Sequence, residues 1–432
     1  MSLKSQNPWI VCLAAASFFS FEFFQVNMFN ALDPELIRTF HTDGKTLSML
    51  SSVYFYGNIL LLLPAGMLLD RWSTRKIVLT AMLLSLVGTT IFACATTLWT
   101  AALGRFLVGI SGGPFCFLST IRLASRWFPE NKLAAVTGII VAVGMLGGLL
   151  SQTPFTILVD SFGWRTALAV DLMGGLLIYL LLVCCVHDCP ADKVDDIKQQ
   201  QLKHNNIGFV TGFKAVTFKL QNWSCGTFAS LLNLPIFLLG ALWGSLYLTQ
   251  IHGLSRLDAS YVTSMLYIGM LIGAPFFGSF SDYIKSRKIP MFIGTVFCLV
   301  SIIIVMRVPD LTLNNLIILF LIMGFSSSAQ IIAYPTVAES NPPHLTGSAE
   351  GLAAVLIMSG GAVFQPIFGW LVEMQWDGKM LEQIPVYSIG DYTAALLLIP
   401  GTLIGCLVML MLIKETRSRL SLLPPFHKIL GA

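Results

Sequence analysis

Twelve apolar runs of about 20 residues follow one another along this 432-residue chain, and they restrict its fold more than any other feature. They lie at approximately 8–30, 46–69, 77–97, 99–123, 133–158, 164–186, 223–250, 259–281, 289–307, 313–337, 347–374 and 392–413. A helix of ~20 residues is long enough to cross a hydrocarbon core ~30 Å thick. Because the runs are continuous rather than alternating, they predict helices and not the strands of a barrel. We number them spans 1 to 12.

The composition excludes a water-soluble globule. Hydrophobic residues make up 55% of the chain and charged residues only 11%, against about 25% charged in soluble domains. The first run is too long for a secretory signal and contains Glu22, so it is interpreted as a retained helix. The nine Cys residues form no Cys-x-x-Cys pair, and neither a disulfide framework nor a metal site is indicated. No cofactor is predicted.

The distribution of cations predicts the orientation. If both termini are cytoplasmic, nineteen of the 26 Lys and Arg residues fall in inward-facing segments and six in outward loops, with Arg105 inside a span. Inward-facing loops of membrane proteins carry such an excess. The sequence therefore predicts a multi-pass protein of the bacterial inner membrane with both ends in the cytoplasm.

The chain consists of two halves of one plan. The longest polar interruption, residues 187–222, separates six spans in residues 1–186 from six in residues 223–432. GMLLDRWSTRK at 66–76 and GSFSDYIKSRK at 278–288 share an offset of 212 residues, which joins Gly66 to Gly278, Asp70 to Asp282 and Arg75 to Arg287. In spans 5 and 11, an offset of 213 joins Gln152 to Gln365. This self-similarity predicts an all-α membrane protein of two pseudo-symmetric six-helix bundles around a central cavity.

These motifs resemble a known family. The pattern G-x-x-x-D-R-x-x-x-R-K after span 2 resembles the signature loop of the major facilitator superfamily, and the R-x-x-x-G from Arg105 to Gly109 resembles its fourth-span motif. Ser73 stands where the family usually has Gly. The opening FEFFQVNMFNALDPEL is also similar to intraphagosomal nutrient carriers of intracellular bacteria. The resemblance implies a twelve-helix carrier and a part for Arg105 in proton coupling.

The charged loops after spans 2 and 8 are predicted to form a gate. A carboxylate at the inner end of span 2 could meet the N-terminus of a helix in the opposite half, while the cations of the loop pair with acids. Gly66 would let a neighbouring helix approach closely. The predicted gate residues are Gly66, Asp70, Arg71, Arg75, Gly278, Asp282 and Arg287. The alternative is that these cations only anchor the loops.

Glu22 and Arg105 are the candidates for proton coupling. Glu22 lies about 14 residues in from the inner end of span 1, near the midplane, where an ionised carboxylate costs ~2.5–3.5 kcal/mol. A low dielectric there favours the neutral, protonated form. Arg105 could pair with Glu22 or meet an anionic group of the cargo. A neutral Glu that only packs, and a structural Arg, are the alternatives.

Uncharged polar side chains on the remaining spans are the candidates for the substrate cavity. Spans 1, 4, 7 and 10 are expected to line it, with adjacent spans contributing. The predicted set is Gln25, Tyr54, Asn58, Gln152, Asn233, Tyr267, Ser327, Gln330, Tyr334 and Gln365. Repeat symmetry would place Gln152 and Gln365 on opposite walls. For any single residue the alternative is a hydrogen bond between helices.

We therefore predict a secondary active transporter that takes up a small polar organic solute, such as an amino acid, by alternating access. No nucleotide-binding motif is present, so a gradient must supply the energy; protons are favoured and Na⁺ is not excluded. A monomer is expected, with no nucleic-acid partner. The rivals are an exporter or a siderophore or drug carrier, a transporter-like sensor, and a membrane enzyme, for which no catalytic spacing appears.

Overall fold

The structure is a computed structural model that describes residues 7–129, 132–190, 216–308, 310–342 and 345–416. Within these ranges, the side chains of residues 63, 67, 70, 71, 134 and 135 are not described. The first six spans are Pro8–Asn27 with Phe29–Phe40, Gly44–Arg71, Thr74–Ala93, Leu98–Trp127, Leu133–Leu150 with Thr153–Phe162, and Trp164–Cys185.

The second six spans repeat this order. They are Leu220–Leu232 with a π-helix Ile236–Trp243 and Gly244–His252, Arg256–Tyr283, Lys288–Arg307, Leu313–Ser327 with a 3₁₀ turn Ser328–Ile332 and Ala333–Ser340, Thr346–Glu373, and Ile389–Leu396 with Leu398–Leu412. Between spans 11 and 12, strands β1 (Met380–Leu381) and β2 (Ile384–Pro385) form a small antiparallel hairpin.

The all-α membrane fold is confirmed. Among the described residues, ten helices are long and apolar enough to cross a membrane, and a bent pair, Leu220–Leu232 with Ile236–His252, brings the number to eleven. Gly44–Arg71, a helix of 28 residues, occupies the position of the predicted second span. The helices are consistent with the predicted twelve. Most of the predicted linker, residues 187–222, lies outside the described residues, and the division of the chain there remains a prediction.

Polar caps start the helices where the chain enters the bilayer. Asn7 accepts from the amide of Trp9 and Asp43 from that of Thr46, so that free amides at each helix start gain a partner. Span 4 begins with a reciprocal capping box between Thr97 and Thr100. These short-range signals fix the helix starts independently of packing.

Several spans are broken near their middle, and the breaks carry polar residues. Span 1 changes direction at Met28, and span 5 breaks at Gln152, whose φ of −92° and ψ of −110° are not helical. Span 7 bends by 40° near Asn233 and continues as a π-helix. Non-helical backbone at membrane depth is tolerated where protein or a water-filled cavity surrounds it. The breaks therefore point to the functional centre.

Close helix contacts hold each half together. In the N-terminal half, spans 3 and 4 cross at Gly88 and Gly104, where an added Cβ on either glycine would lie within 3 Å of the backbone oxygen of the other. Small residues at such crossings let helix backbones meet. We call the face that carries Ser73 and Arg287 the inner face, after the predicted orientation, and the face with the β1–β2 hairpin the outer face.

Candidate transport site

Glu22 lies in the middle of span 1, enclosed within the N-terminal half. Its side chain is 1% exposed, and Oε2 accepts a hydrogen bond from the Tyr54 hydroxyl of span 2 at 3.4 Å. Oε1 has no hydrogen-bond partner. Gly112 of span 4 makes room for the acid, because a Cβ at that position would overlap the carboxyl group. The site is thus shaped around Glu22.

Arg105 is buried in the same cluster and lies against aromatic rings. Its guanidinium carbon is 4.5 Å from the centre of the Phe29 ring and 5.2 Å from that of Tyr54, distances at which a cation is attracted to the ring face. Nη1 donates to the backbone oxygen of Gln25 at 2.8 Å, while Nε and Nη2 have no partner. Burying a charge is costly unless an opposite charge is near. Glu22 and Arg105 therefore compensate each other, without a direct hydrogen bond.

Gln25 points to span 6. Its Nε2 donates to Oδ2 of Asp171 at 2.5 Å, and its Oε1 has no partner. Gln25, predicted as a cavity residue, thus belongs to the polar interior of the N-terminal half together with Glu22. Asp171 is a second acid in this interior.

A polar network crosses from one half to the other at the broken midpoints of spans 1 and 5. Gln152 Oε1 accepts from Asn30 Nδ2 at 2.7 Å and from the Thr263 hydroxyl of span 8 at 2.8 Å. The Tyr267 hydroxyl donates to Asn27 Oδ1 at 2.8 Å. We call these five residues the interhalf network. It presents amides and hydroxyls from both bundles at one level of the membrane.

Sequence reasoning selected Gln152 and Tyr267 for this region and missed Asn27, Asn30 and Thr263. Asn27 and Asn30 lie three residues apart in the span that also holds Glu22 and Gln25. That clustering of amides in one span was the available signal. Thr263 gave none, because a lone Thr in an apolar helix usually bonds to its own backbone.

In the C-terminal half, Asn233, Gln330 and Gln365 surround the π-helix of span 7. Asn233 Oδ1 accepts from Gln330 Nε2 at 2.6 Å. Gln365 Nε2 donates to the backbone oxygen of Phe237 at 2.9 Å. Gln365 and Gln152 therefore have different surroundings: Gln152 bonds across the halves and Gln365 supports span 7.

The other predicted cavity residues are dispersed. Tyr54 belongs to the Glu22 cluster, and Asn58 lies against Gly113 of span 4. The Ser327 hydroxyl is 3.5 Å from Cys298 Sγ within the C-terminal half. Tyr334 is partly buried in span 10.

The charged loops bind within their own halves. Arg75 donates through its amide to Asp188 at 2.8 Å and through Nη2 to the backbone oxygen of Val183 at 2.8 Å. Arg287 pairs with Glu339 at 2.5 Å and with Asp282 at 3.0 Å. The side chains of Asp70 and Arg71 lie outside the described part of the structure.

The close helix contact expected at Gly66 is not present in this structure. A Cβ added at Gly66, or at its counterpart Gly278, would meet nothing within 4 Å. Among the described residues, no helix therefore approaches Gly66 or Gly278 closely, and the role of these loops as a gate remains a prediction.

The outer ends of the halves, in contrast, are joined. The Lys45 amide donates to Glu373 Oε1 at 3.0 Å, and the Gly44 amide donates to the Tyr387 hydroxyl at 3.2 Å. Arg38 of the N-terminal half binds Glu382 of the hairpin at 2.7 Å. Below them the buried indole of Trp243 donates to Ser48 at 3.0 Å. These bonds close the outer face between the two halves.

The comparisons with known proteins agree with this architecture. The family model described as Major Facilitator Superfamily matches residues 12–366 and 224–429. The human lysosomal dipeptide transporter MFSD1 is 25% identical over 364 residues, covering 79% of this chain and 75% of that protein. The probable galactarate/D-glucarate transporter GarP of Escherichia coli K12 is 22% identical over 370 residues, covering 78% of this chain and 82% of GarP.

Among solved structures, a D-xylose-proton symporter superposes with a TM-score of 0.73 at 15% sequence identity. The match covers 95% of this chain and 98% of that one. At this identity the likeness shows the shared fold.

Proposed function

Because the chain belongs to the Major Facilitator Superfamily, we propose that it is a proton-coupled transporter that takes up a small polar organic solute, such as an amino acid, by alternating access. The family makes it a multi-pass membrane transporter rather than an enzyme. The coupling ion, the cargo class, the direction and a bacterial inner-membrane location are parts of the proposal.

The observation that carries the proposal is the position of Glu22. Glu22 lies in span 1, and its buried carboxyl is next to Arg105 of span 4. Asn30, two helical turns further along span 1, binds Gln152 of the interhalf network. A proton gained or lost at Glu22 changes the charge next to the segment of span 1 that joins the two halves. Coupled transport requires such a link, because the proton and the cargo must shift the same equilibrium between the two conformations of the transporter.

The interhalf network supports a polar cargo. Its amide and hydroxyl groups can both donate and accept, and Asn27 and Tyr267 come from opposite halves. When the halves separate, these groups lose their partners and become available to a solute. The two relatives are named as a dipeptide transporter and a probable galactarate/D-glucarate transporter, and the structural neighbour as a D-xylose-proton symporter. All of these cargoes are small polar solutes.

Glu22→Gln tests the coupling. A glutamine keeps the shape of the acid but cannot ionise, so we expect the variant to bind cargo and to lose accumulation driven by a pH gradient in proteoliposomes. Asp310→Asn, which removes an exposed carboxylate in an outer loop, is the control and should keep proton-driven uptake. Full accumulation by Glu22→Gln would refute the coupling role.

A thermal-shift screen against amino acids, dipeptides, sugars, sugar acids and nucleosides identifies the cargo class. A ligand present at 100 times its Kd stabilises the folded state by about 2.7 kcal/mol. If only large apolar drugs stabilise the protein and a proton gradient drives their efflux, the protein is an exporter and the proposal of uptake is wrong.

A further inference from the structure

Asp33 is a buried acid at the outer face that has no hydrogen-bond partner. Asp33 lies in the outer part of span 1 and is only 2% exposed. Both of its carboxylate oxygens are buried and have no hydrogen-bond partner. Leaving a buried polar group unsatisfied is unfavourable, and far more so when the group is charged. The neutral, protonated form of Asp33 therefore suits the closed outer face.

The cations nearby are already bound to other acids. Arg256 of span 8 binds Asp160 of span 5 at 2.6 Å and approaches Glu35 at 3.8 Å. It also donates through Nη2 to the backbone oxygen of Ala31, one turn from Glu35. These bonds join the C-terminal half to the N-terminal half. They leave Asp33 within electrostatic range of Arg256 but without a hydrogen bond to it.

The ion pairs of this region leave Asp33 without a cation of its own. Arg38 binds Glu382 at 2.7 Å and approaches Glu35 at 3.4 Å, and Arg256 is bound to Asp160. Among the described residues, the titratable and charged groups around Asp33 are Glu35 and Arg38 on its own helix, Asp160 on span 5, Arg256 on span 8, Glu382 on the hairpin, Tyr392 and Asp391 on span 12, and Tyr387, Tyr247 and His252 beside Tyr392.

We propose that Asp33 is a proton-binding site of the outer gate, protonated while the outer face is closed and ionised when the halves separate there. Opening the outer face admits water and releases Arg256 from Asp160, so that an ionised Asp33 can be hydrated or can pair with Arg256. Closing the face removes both options. This inference rests on the proposed alternating access, and it assigns to the gate a proton distinct from that of Glu22.

The direction of the pH effect follows from linkage. Asp33 binds its proton more tightly in the closed form than in the open form. Low pH therefore favours the closed outer face, and the open form gains as the pH rises. For one proton, the ratio of open to closed molecules changes by at most about tenfold per pH unit.

The test measures the distance between spin labels on the outer ends of the two halves, in nanodiscs across pH 5 to 8. Trp99→Cys and Ile389→Cys place exposed labels on spans 4 and 12, with the exposed Cys94 and Cys184 replaced by Ser. With Asp33 present, we expect the open fraction to rise with pH. Asp33→Asn mimics the protonated acid, so it should have a smaller open fraction at high pH and lose the part of the pH dependence that Asp33 contributes, while the part due to Glu22 remains.

Asp377→Asn is the matched control on the same face. Asp377 is exposed, and its hydrogen bond with Lys379 holds its pKa below the ordinary value. Removing this carboxylate should therefore leave the pH dependence of the open fraction unchanged. If Asp33→Asn fails to fold, Asp33→Ser replaces it. An unaltered pH dependence in either variant, or a flat curve when cargo still changes the distance, overturns the Asp33 proposal alone. Distances that change with neither pH nor cargo overturn alternating access as well.

Discussion

At the scale of single residues, the N-terminal half is organised around an acid and a base that are both shielded from solvent. Glu22 and Arg105 share Tyr54 as a neighbour, and glycine at position 112 leaves the space that the carboxyl fills. Several of their polar atoms have no partner. Such groups are stable only while the surrounding helices keep their present packing, so the cluster is sensitive to small changes in volume.

Gly112→Ala should be destabilising. The added methyl would overlap the carboxyl group of Glu22, and overpacking of this kind costs about 1–3 kcal/mol. Thermal unfolding in detergent measures the loss. Gly174→Ala is the control, because a Cβ there meets nothing within 4 Å and alanine favours a helix by up to ~1 kcal/mol. Equal melting temperatures for the two variants would contradict the close packing of the Glu22 carboxyl group against Gly112.

At the scale of elements, the broken spans separate rigid helices from segments that can rearrange. The π-helix Ile236–Trp243 has i→i+5 hydrogen bonds in place of the α-helical i→i+4 pattern, and the Gln365 side chain donates to its backbone at Phe237. π-helical turns occur frequently at functional sites. The backbone of span 7 is therefore held at this point by a side chain from another span.

Gln365→Met should loosen span 7. Loss of the hydrogen bond to the Phe237 oxygen removes about 1 kcal/mol and leaves a buried acceptor unsatisfied. We expect faster deuterium exchange of the amides in 236–243, with little change elsewhere. Gln330→Met, which loses only a side-chain partner of Asn233, is the control. If both variants exchange alike, Gln365 is not the support of the π-helix.

At the scale of the whole molecule, the two faces differ in how the halves meet. Hydrogen bonds and ion pairs join them from the interhalf network to the outer hairpin, while Gly66 and Gly278 near the inner face have no close neighbour. The signature loops are bound within their own halves in this state. Their role as a latch stays a prediction, for the state in which the inner ends of the two halves meet.

Asp70→Asn should slow turnover with little change in cargo affinity. In the state closed at the inner face, the substitution removes a charge-assisted bond worth about 1.5–3 kcal/mol, so we expect the maximal uptake rate to fall roughly tenfold or more. Initial rates over a range of cargo concentrations measure it. Asp310→Asn, in an outer loop, should behave as the unmodified protein; a normal maximal rate for Asp70→Asn would count against the latch.

The sequence allowed the fold to be predicted but only part of the candidate site. The length of the apolar runs identified the helices. Glu22 and Arg105 were identified as candidates because charged side chains are rare inside membrane spans. The face that a side chain takes within a bundle depends on neighbouring helices, which is why Gln25, expected in the cavity, contacts Asp171 in the interior. Asn27, Asn30 and Thr263 were missed for the same reason, since only packing brings them to Gln152 and Tyr267.

The sequence by itself determined the membrane fold and the repeated pattern of the two halves, because the bilayer requires each span to be apolar and to satisfy its own backbone hydrogen bonds. Tertiary structure decided which polar groups meet. Whether Asp33 finds a partner, and at which face the halves join, depends on distances between residues more than 90 positions apart in the chain, such as Asp160 and Arg256 on either side of the closed face. Those contacts change as the halves move, so no single stretch of sequence specifies them.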